Sequence, residues 1–169
     1  MAVKDKTLSH KLANVAIQGL LGLAKLLPFE KRVHFMGLLA SHVIAPLTGN
    51  RRRIRNNLAL VMPELTHEDR EAIVRGVPYG MGRTVMELFS ASDFLPRVPD
   101  FPITGPGLKA LDQAHENGTP VMIVTGHFGN YDAMRARLLA RGFRIGGLYK
   151  RMSNPFFHEH YLEAMKTVG

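Results

Sequence analysis

Residues 126–132 place a histidine, His127, five positions before a carboxylate, Asp132. They follow an apolar run, residues 121–125, which predicts a buried strand. On one continuous helix, residues five apart point about 140° away from each other. Gly126 and Gly129 would instead allow a tight turn that brings both side chains to one rim. An imidazole held by a carboxylate is a general base near neutral pH.

The spacing alone is not specific, because a chain with this many histidines and carboxylates should contain about one such pair by chance. His158 and Glu163 have the same spacing within a predicted helix, so their side chains should point apart. Only the first pair has the predicted strand before it and the glycines around it. The alternative for His127 is a structural histidine at a helix cap.

Composition limits the classes of partner. The 169-residue chain is the size of one domain, has no cysteine, and carries a net charge of +8 with a pI near 10.1. This charge predicts an anionic partner such as a phosphorylated lipid, a membrane surface, an acidic protein or nucleic acid. Nucleic acid is disfavoured because the chain contains no recognisable nucleic-acid-binding motif. We therefore predict no nucleic-acid partner.

The N-terminal half contains two apolar segments, residues 12–27 and 29–47, which are predicted helices. The first is shorter than the ~20 residues that a transmembrane helix needs. Both fit helices lying at a membrane interface, or a helical hairpin that buries its apolar faces. Four cations follow the second segment and predict either a phosphate-binding patch beside a membrane or a solvated helix face: Arg51, Arg52, Arg53 and Arg55.

Proline and glycine placement predicts the domain organisation. Residues 1–93 form a helical, membrane-associating part, residues 94–107 a proline-rich connector, and residues 108–169 the start of an α/β core. In the first part, Thr66 is the predicted N-cap of a helix that continues to about residue 92. Pro78 and the nearby glycines should kink or interrupt that helix.

The remainder predicts a mixed α/β fold containing a βαβ unit. Strands at 120–125 and 143–149 would flank a helix at about 130–140, with glycine caps at Gly118 and Gly142. Sites in parallel sheets gather beyond the carboxyl ends of the strands. This rule places His127 beside two cations that follow the second strand, Lys150 and Arg151. For at least two of the three arginines Arg135, Arg137 and Arg141, the sequence favours a solvated basic helix face.

Three separated segments resemble the bacterial late acyltransferases of lipid A biosynthesis, the lauroyl/myristoyl transferase family that shares a His-x4-Asp/Glu motif with glycerolipid acyltransferases. They are residues 55–65 (Arg-Asn-Asn-Leu-Ala-Leu-Val-Met-Pro-Glu-Leu), residues 121–132, and residues 149–155 (Tyr-Lys-Arg-Met-Ser-Asn-Pro). The chain has Tyr131 and Asp132 where members often have Trp-Glu. Members are typically much longer, so the resemblance predicts a fragment, a truncated product or one part of a larger assembly.

The resemblance implies transfer of a fatty acyl group from an acyl-carrier-protein thioester to a hydroxyl of a lipid A precursor. The reaction would occur at the cytoplasmic face of the bacterial inner membrane. His127 would be the general base and Asp132 would orient it, while Gly129, Asn130, Lys150 and Arg151 would bind substrate. No metal or cofactor is implied. The alternatives are an acyltransferase for another glycolipid or glycerophosphate acceptor, or a non-catalytic membrane-binding remnant.

Overall fold

The computed structural model describes residues 7–126 and 128–168. Within these ranges the α-helices are α1 (Leu8–Ala24), α2 (Phe29–Leu39), α3 (Ala45–Leu47), α4 (Asn50–Val61), α5 (His67–Leu88), α6 (Ala91–Phe94), α7 (Leu108–Glu116), α8 (Tyr131–Ala140) and α9 (Pro155–Val168). A π-helical turn, Ala40–Ile44, joins α2 to α3, and a 3₁₀ segment, Leu95–Asp100, follows α6.

The predicted βαβ unit and α/β fold class are wrong for the described residues, which contain helices and irregular segments but no β-strand. Residues 120–125 and 143–149 have no regular secondary structure. Met122 and Val124 are 88% and 87% exposed, respectively, so their side chains are not buried as in a central strand. An apolar run identifies a candidate strand, but a strand forms only where a second strand supplies the ladder of hydrogen bonds.

The local helix signals were predicted correctly. The hydroxyl oxygen of Thr66 accepts a hydrogen bond from the Asp69 backbone N–H at 3.1 Å and caps α5. Gly118 and Gly142 follow α7 and α8 with φ of 65° and 87°, as glycine caps require. The predicted interruption at Pro78 is wrong, because α5 continues through this buried residue from His67 to Leu88.

Two clusters of buried side chains hold the helices together. The first joins α1, α2 and α5 through Leu21, Ala24, Val33, Met36 and Met86. The second joins α5, α6, the 3₁₀ segment, α8 and α9 through Leu88, Phe94, Val98, Ala136 and Val168. Phe29 packs against both clusters. The second cluster fixes α8 against α5 and α9, and so positions the residues that precede and begin α8.

The pairing of α2 with α5 depends on close backbone approach. A β-carbon at Gly82 would lie 2.6 Å from the Ala40 β-carbon and would collide with the Met36 carbonyl oxygen. A β-carbon at Gly37 would lie 2.6 Å from the Tyr79 ring. Two glycines on facing helices therefore set how closely this pair packs.

α1 packs on α2 by one side and leaves an apolar stripe on the other. The stripe consists of four exposed side chains at helical spacing, Leu8, Leu12, Val15 and Leu23, and the exposed Leu26 follows in the turn after the helix. From Leu8 to Leu23 the stripe extends for about 22 Å at 1.5 Å per residue. No helix in the described part of the chain is both long enough and apolar enough to cross a membrane.

Candidate functional site

Asp132 lies in the first turn of α8 and is 2% exposed. Its helix begins at a side-chain cap, because Asn130 Oδ1 accepts a hydrogen bond from the Ala133 backbone N–H at 3.1 Å. The first turn of a helix favours negative charge through its unpaired N–H groups. The fold thus places a carboxylate at a fixed point five residues after His127.

Neither carboxylate oxygen of Asp132 has a hydrogen-bond partner among the described residues. Arg135 forms an ion pair with this carboxylate, and its Nε lies 3.5 Å from Oδ1. Burial raises the pKa of the Asp132 carboxyl above its usual value, and Arg135 opposes that shift only in part. Buried carboxylates normally have their lone pairs occupied, so this one has the capacity to accept a hydrogen bond from another donor.

Hydrogen bonds join the start of α8 to α5 and α9. Asn130 Nδ2 donates to Glu87 Oε2 of α5 at 2.6 Å, and Arg135 Nη2 donates to the Met165 carbonyl of α9 at 3.2 Å. Tyr131 and Tyr161 bring their hydroxyls within 3.3 Å. Burial raises the pKa of Glu87, and burial together with the Tyr131 contact raises that of Tyr161. Buried polar networks of this kind hold side chains in defined orientations.

Asp132→Asn should change how stability depends on pH. The folded-state pKa of Asp132 is raised, so the folded protein binds its proton more readily than the unfolded chain does. The protonated Asp132 carboxyl therefore adds to the free energy of unfolding. This contribution is complete below the ordinary pKa of 3.8 and is lost as pH rises through the folded-state pKa. Urea unfolding from pH 3.5 to pH 7 should show wild type losing stability relative to the variant. An unchanged difference between the two proteins would mean that Asp132 is not desolvated.

The structure describes part of the predicted catalytic turn, residues 126–130. His127 lies outside the described residues. Gly129, two residues later, has φ of 55°, a left-handed conformation that side chains other than glycine adopt with strain. Gly129 therefore has a backbone conformation that a tight turn can use. Asn130 ends the turn as the N-cap of α8.

Lys150 and Arg151 lie in an irregular, exposed segment before α9. No contact among the described residues joins either side chain to Asp132. The argument that placed them beside His127 relied on adjacent parallel strands, which the described residues lack. Their role in substrate binding stays a prediction without that support.

The four arginines of α4 differ in their contacts: two bond to other helical segments, and the other two are exposed and make no such bond with the described residues. Arg51 Nη2 donates to the Ser41 carbonyl at 2.7 Å, and Arg55 forms a two-point ion pair with Glu71 at 2.5 and 2.9 Å. These two fasten α4 to neighbouring helical segments. Arg52 and Arg53 are exposed and form no ion pair or hydrogen bond with the described residues. Only the second pair is free to contact an external anion.

Glu87 was not identified from the sequence, and most of the arginines of α8 were interpreted as part of a solvated face. Arg137 Nε donates to the Phe101 carbonyl at 2.9 Å, and Arg141 pairs with Asp112 at 2.7 Å. With Arg135 beside Asp132, all three are partly buried, so the solvated-face interpretation is wrong. The i,i+3 spacing of Asp132 and Arg135 was a visible signal. Glu87, 43 residues before Asn130, gave none.

The described residues contain no cluster of three or more histidine, aspartate or glutamate side chains that could hold a metal ion. At the start of α8 the fold assembles a buried carboxylate, a side-chain cap and a glycine in the left-handed conformation. These features suit proton transfer by a side chain that Asp132 orients.

Comparison with known proteins identifies the family. The family model described as bacterial lipid A biosynthesis acyltransferase matches residues 4–164. The chain belongs to this family. The resemblance seen in the three sequence segments is thereby confirmed, and with it the assignment as an acyltransferase enzyme. No curated protein and no solved structure gives a significant match to this lipid A acyltransferase family member.

Proposed function

We propose that this acyltransferase transfers a fatty acyl group from an acyl-carrier-protein thioester to a hydroxyl of a lipid A precursor. The observation that carries the proposal is Asp132, which is 2% exposed yet has both oxygens without a hydrogen bond among the described residues. A carboxylate desolvated in this way, five residues after a histidine in a member of this family, fits the orienting member of a catalytic pair.

His127 is the general base of the proposed mechanism. The acceptor hydroxyl loses its proton to the imidazole as its oxygen attacks the thioester carbonyl carbon. The tetrahedral intermediate then collapses, the carbon–sulfur bond breaks, and the imidazolium returns the proton to the leaving thiolate. Asp132 accepts the second imidazole N–H, which fixes the tautomer and stabilises the charged ring. The acyl group passes directly to the acceptor and forms no covalent enzyme intermediate.

Backbone N–H groups of residues 128–130 are the proposed donors to the oxyanion, since they lie at the start of α8. The side chain of Asn130 is already committed at both ends, to Ala133 and to Glu87. Asn130 would therefore act on substrate through its backbone N–H, and Gly129 through the space and conformation that it allows. Lys150 and Arg151 are proposed to bind the acceptor phosphate or the phosphopantetheine of the carrier.

The cytoplasmic face of the inner membrane is the proposed location. The apolar stripe of α1 would lie in the plane of the interface, and Lys11 and Lys25 of the same segment are exposed for contact with lipid headgroups. Arg52 and Arg53 add two exposed cations without internal partners. An apolar stripe with nearby free cations suits a surface made of anionic lipid.

Replacing Arg52 and Arg53 together by alanine should weaken binding to anionic vesicles by about 30-fold, given about 1 kcal/mol for each cation near the surface. Vesicle sedimentation at constant ionic strength measures this. Lys109→Ala with Arg144→Ala removes the same charge from other exposed positions and should have a smaller effect. Equal losses in the two double variants would show that net charge, rather than the α4 pair, governs binding.

The proposed activity is tested by incubating the purified protein in vesicles with acyl-carrier-protein thioesters and a panel of acceptors. The panel contains a lipid A precursor, a glycerophosphate and a neutral glycolipid, and mass spectrometry identifies the acylated product. A lipid A precursor heavier by one acyl group supports the proposal. Acylation of another acceptor alone would reassign the substrate, and no acylated product with any acceptor would favour a membrane-binding protein without catalysis.

A further inference from the structure

The side chain of Asn130 is held at both ends. Its Oδ1 accepts the Ala133 N–H and caps α8, and its Nδ2 donates to Glu87 Oε2 at 2.6 Å. An amide has one accepting and one donating end, so these two bonds together define a single orientation. If the amide rotated by half a turn, it would place a donor against Ala133 and an acceptor against Glu87.

Glu87 is itself held within the fold. It lies in the last turn of α5, its side chain is 14% exposed, and its Oε1 is 3.9 Å from Arg83 Nη2. Arg83 also lies over the Tyr79 ring, with its guanidinium carbon 5.7 Å from the ring centroid. The acceptor for Asn130 is thus fixed by a helix that belongs to the N-terminal part of the molecule.

We propose that Glu87 is a positioning residue for the catalytic turn. By fixing the Asn130 amide it holds the N-terminal turn of α8, and with it Asp132, in the orientation that the His127 imidazole requires. The effect of Glu87 on catalysis rests on the proposed acyl transfer. Its effect on the orientation of the Asn130 amide does not depend on that proposal. It also makes the active-site geometry depend on α5 and not only on the motif at residues 126–132.

The chemistry explains why a carboxylate suits position 87. The site needs an acceptor facing Asn130 Nδ2. Either oxygen of a carboxylate supplies one, whereas a glutamine amide supplies one in only one of its two orientations. Burial makes an ionised carboxylate costly, and apolar side chains at both positions 87 and 130 would avoid that cost. The contact is therefore better explained by orientation than by stability.

The test compares Glu87→Ala with Glu87→Gln in the purified protein. Glutamine keeps a carbonyl acceptor for Asn130 Nδ2, whereas alanine removes it. Glu87→Ala should increase the hydrogen-exchange rate of the Ala133 amide at least about tenfold and lower kcat by a similar factor with KM little changed. Glu87→Gln should restore most of both quantities.

A second pair of variants separates positioning from simple destabilisation. Serine at position 130 can cap α8 without help from Glu87. In the Asn130→Ser background, Glu87→Ala should therefore have no further effect on Ala133 exchange. An equal effect in both backgrounds, or a Glu87→Gln variant as impaired as Glu87→Ala, would overturn the positioning role.

Failure of this inference can be told apart from failure of the proposed function. If wild type shows no acyl transfer, the proposed function fails, and Ala133 exchange still decides whether Glu87 positions the turn. If wild type is active but Glu87→Ala leaves both exchange and kcat unchanged, the proposed function stands and the role of Glu87 is wrong.

Discussion

Replacing His127 by alanine is expected to lower the rate of acyl transfer by about 10²–10⁴-fold, the usual contribution of a positioned general base. The acceptor hydroxyl is a weak nucleophile at neutral pH and would have no group to take its proton as it attacks. The effect should fall on kcat, because the imidazole acts in the transition state and not in substrate binding. The variant should keep the thermal stability of wild type.

His160→Ala is the matched control, since His160 is an exposed histidine on α9 that makes no contribution to the proposed mechanism. It should transfer acyl groups at the wild-type rate. A His127→Ala protein that is folded and turns over within a few-fold of His160→Ala would remove His127 from the mechanism.

Gly82→Ala is expected to destabilise the protein by about 1–3 kcal/mol, the usual cost of overpacking. The added β-carbon would meet backbone and the Ala40 β-carbon of the facing helix, at 2.6 Å from the latter. No side-chain rotation can relieve a clash with backbone, so α2 and α5 would have to move apart. Urea unfolding monitored by circular dichroism measures the change.

Gly80→Ala, two residues away in α5, provides a control of opposite sign. A β-carbon there would meet nothing within 4 Å. Alanine is favoured over glycine inside helices by about 1 kcal/mol, so this variant should be more stable than wild type. Two variants that change stability in the same direction would contradict the close approach of α2 and α5 at Gly82.

Features that depend on neighbouring residues could be predicted from the sequence. Side chains within a few positions determine three such features: the cap at Thr66, the glycine ends of α7 and α8, and the helix after the catalytic turn. The strands could not be predicted in this way. Residues 120–125 have the composition of a strand, but pairing depends on a distant partner that the pattern does not specify.

The same distinction applies to the site. His127, Gly129 and Asp132 form a local motif in the sequence, and the structure adds that Gly129 is left-handed and that Asp132 is buried. Glu87 reaches Asn130 across 43 residues because α5 and α8 share the second hydrophobic cluster. Spacing within one segment cannot reveal a contact that is made by packing. The fold adds the groups that orient the motif.

The central claim is that His127 and Asp132 act as one unit in acyl transfer. A double-mutant cycle on kcat, using His127→Ala, Asp132→Asn and the combined variant, tests it most directly. Because Asp132 works only through the imidazole, Asp132→Asn should slow wild type substantially and have no further effect once His127 is alanine. If the two losses multiply in the combined variant, the residues act independently and the proposed pair is wrong.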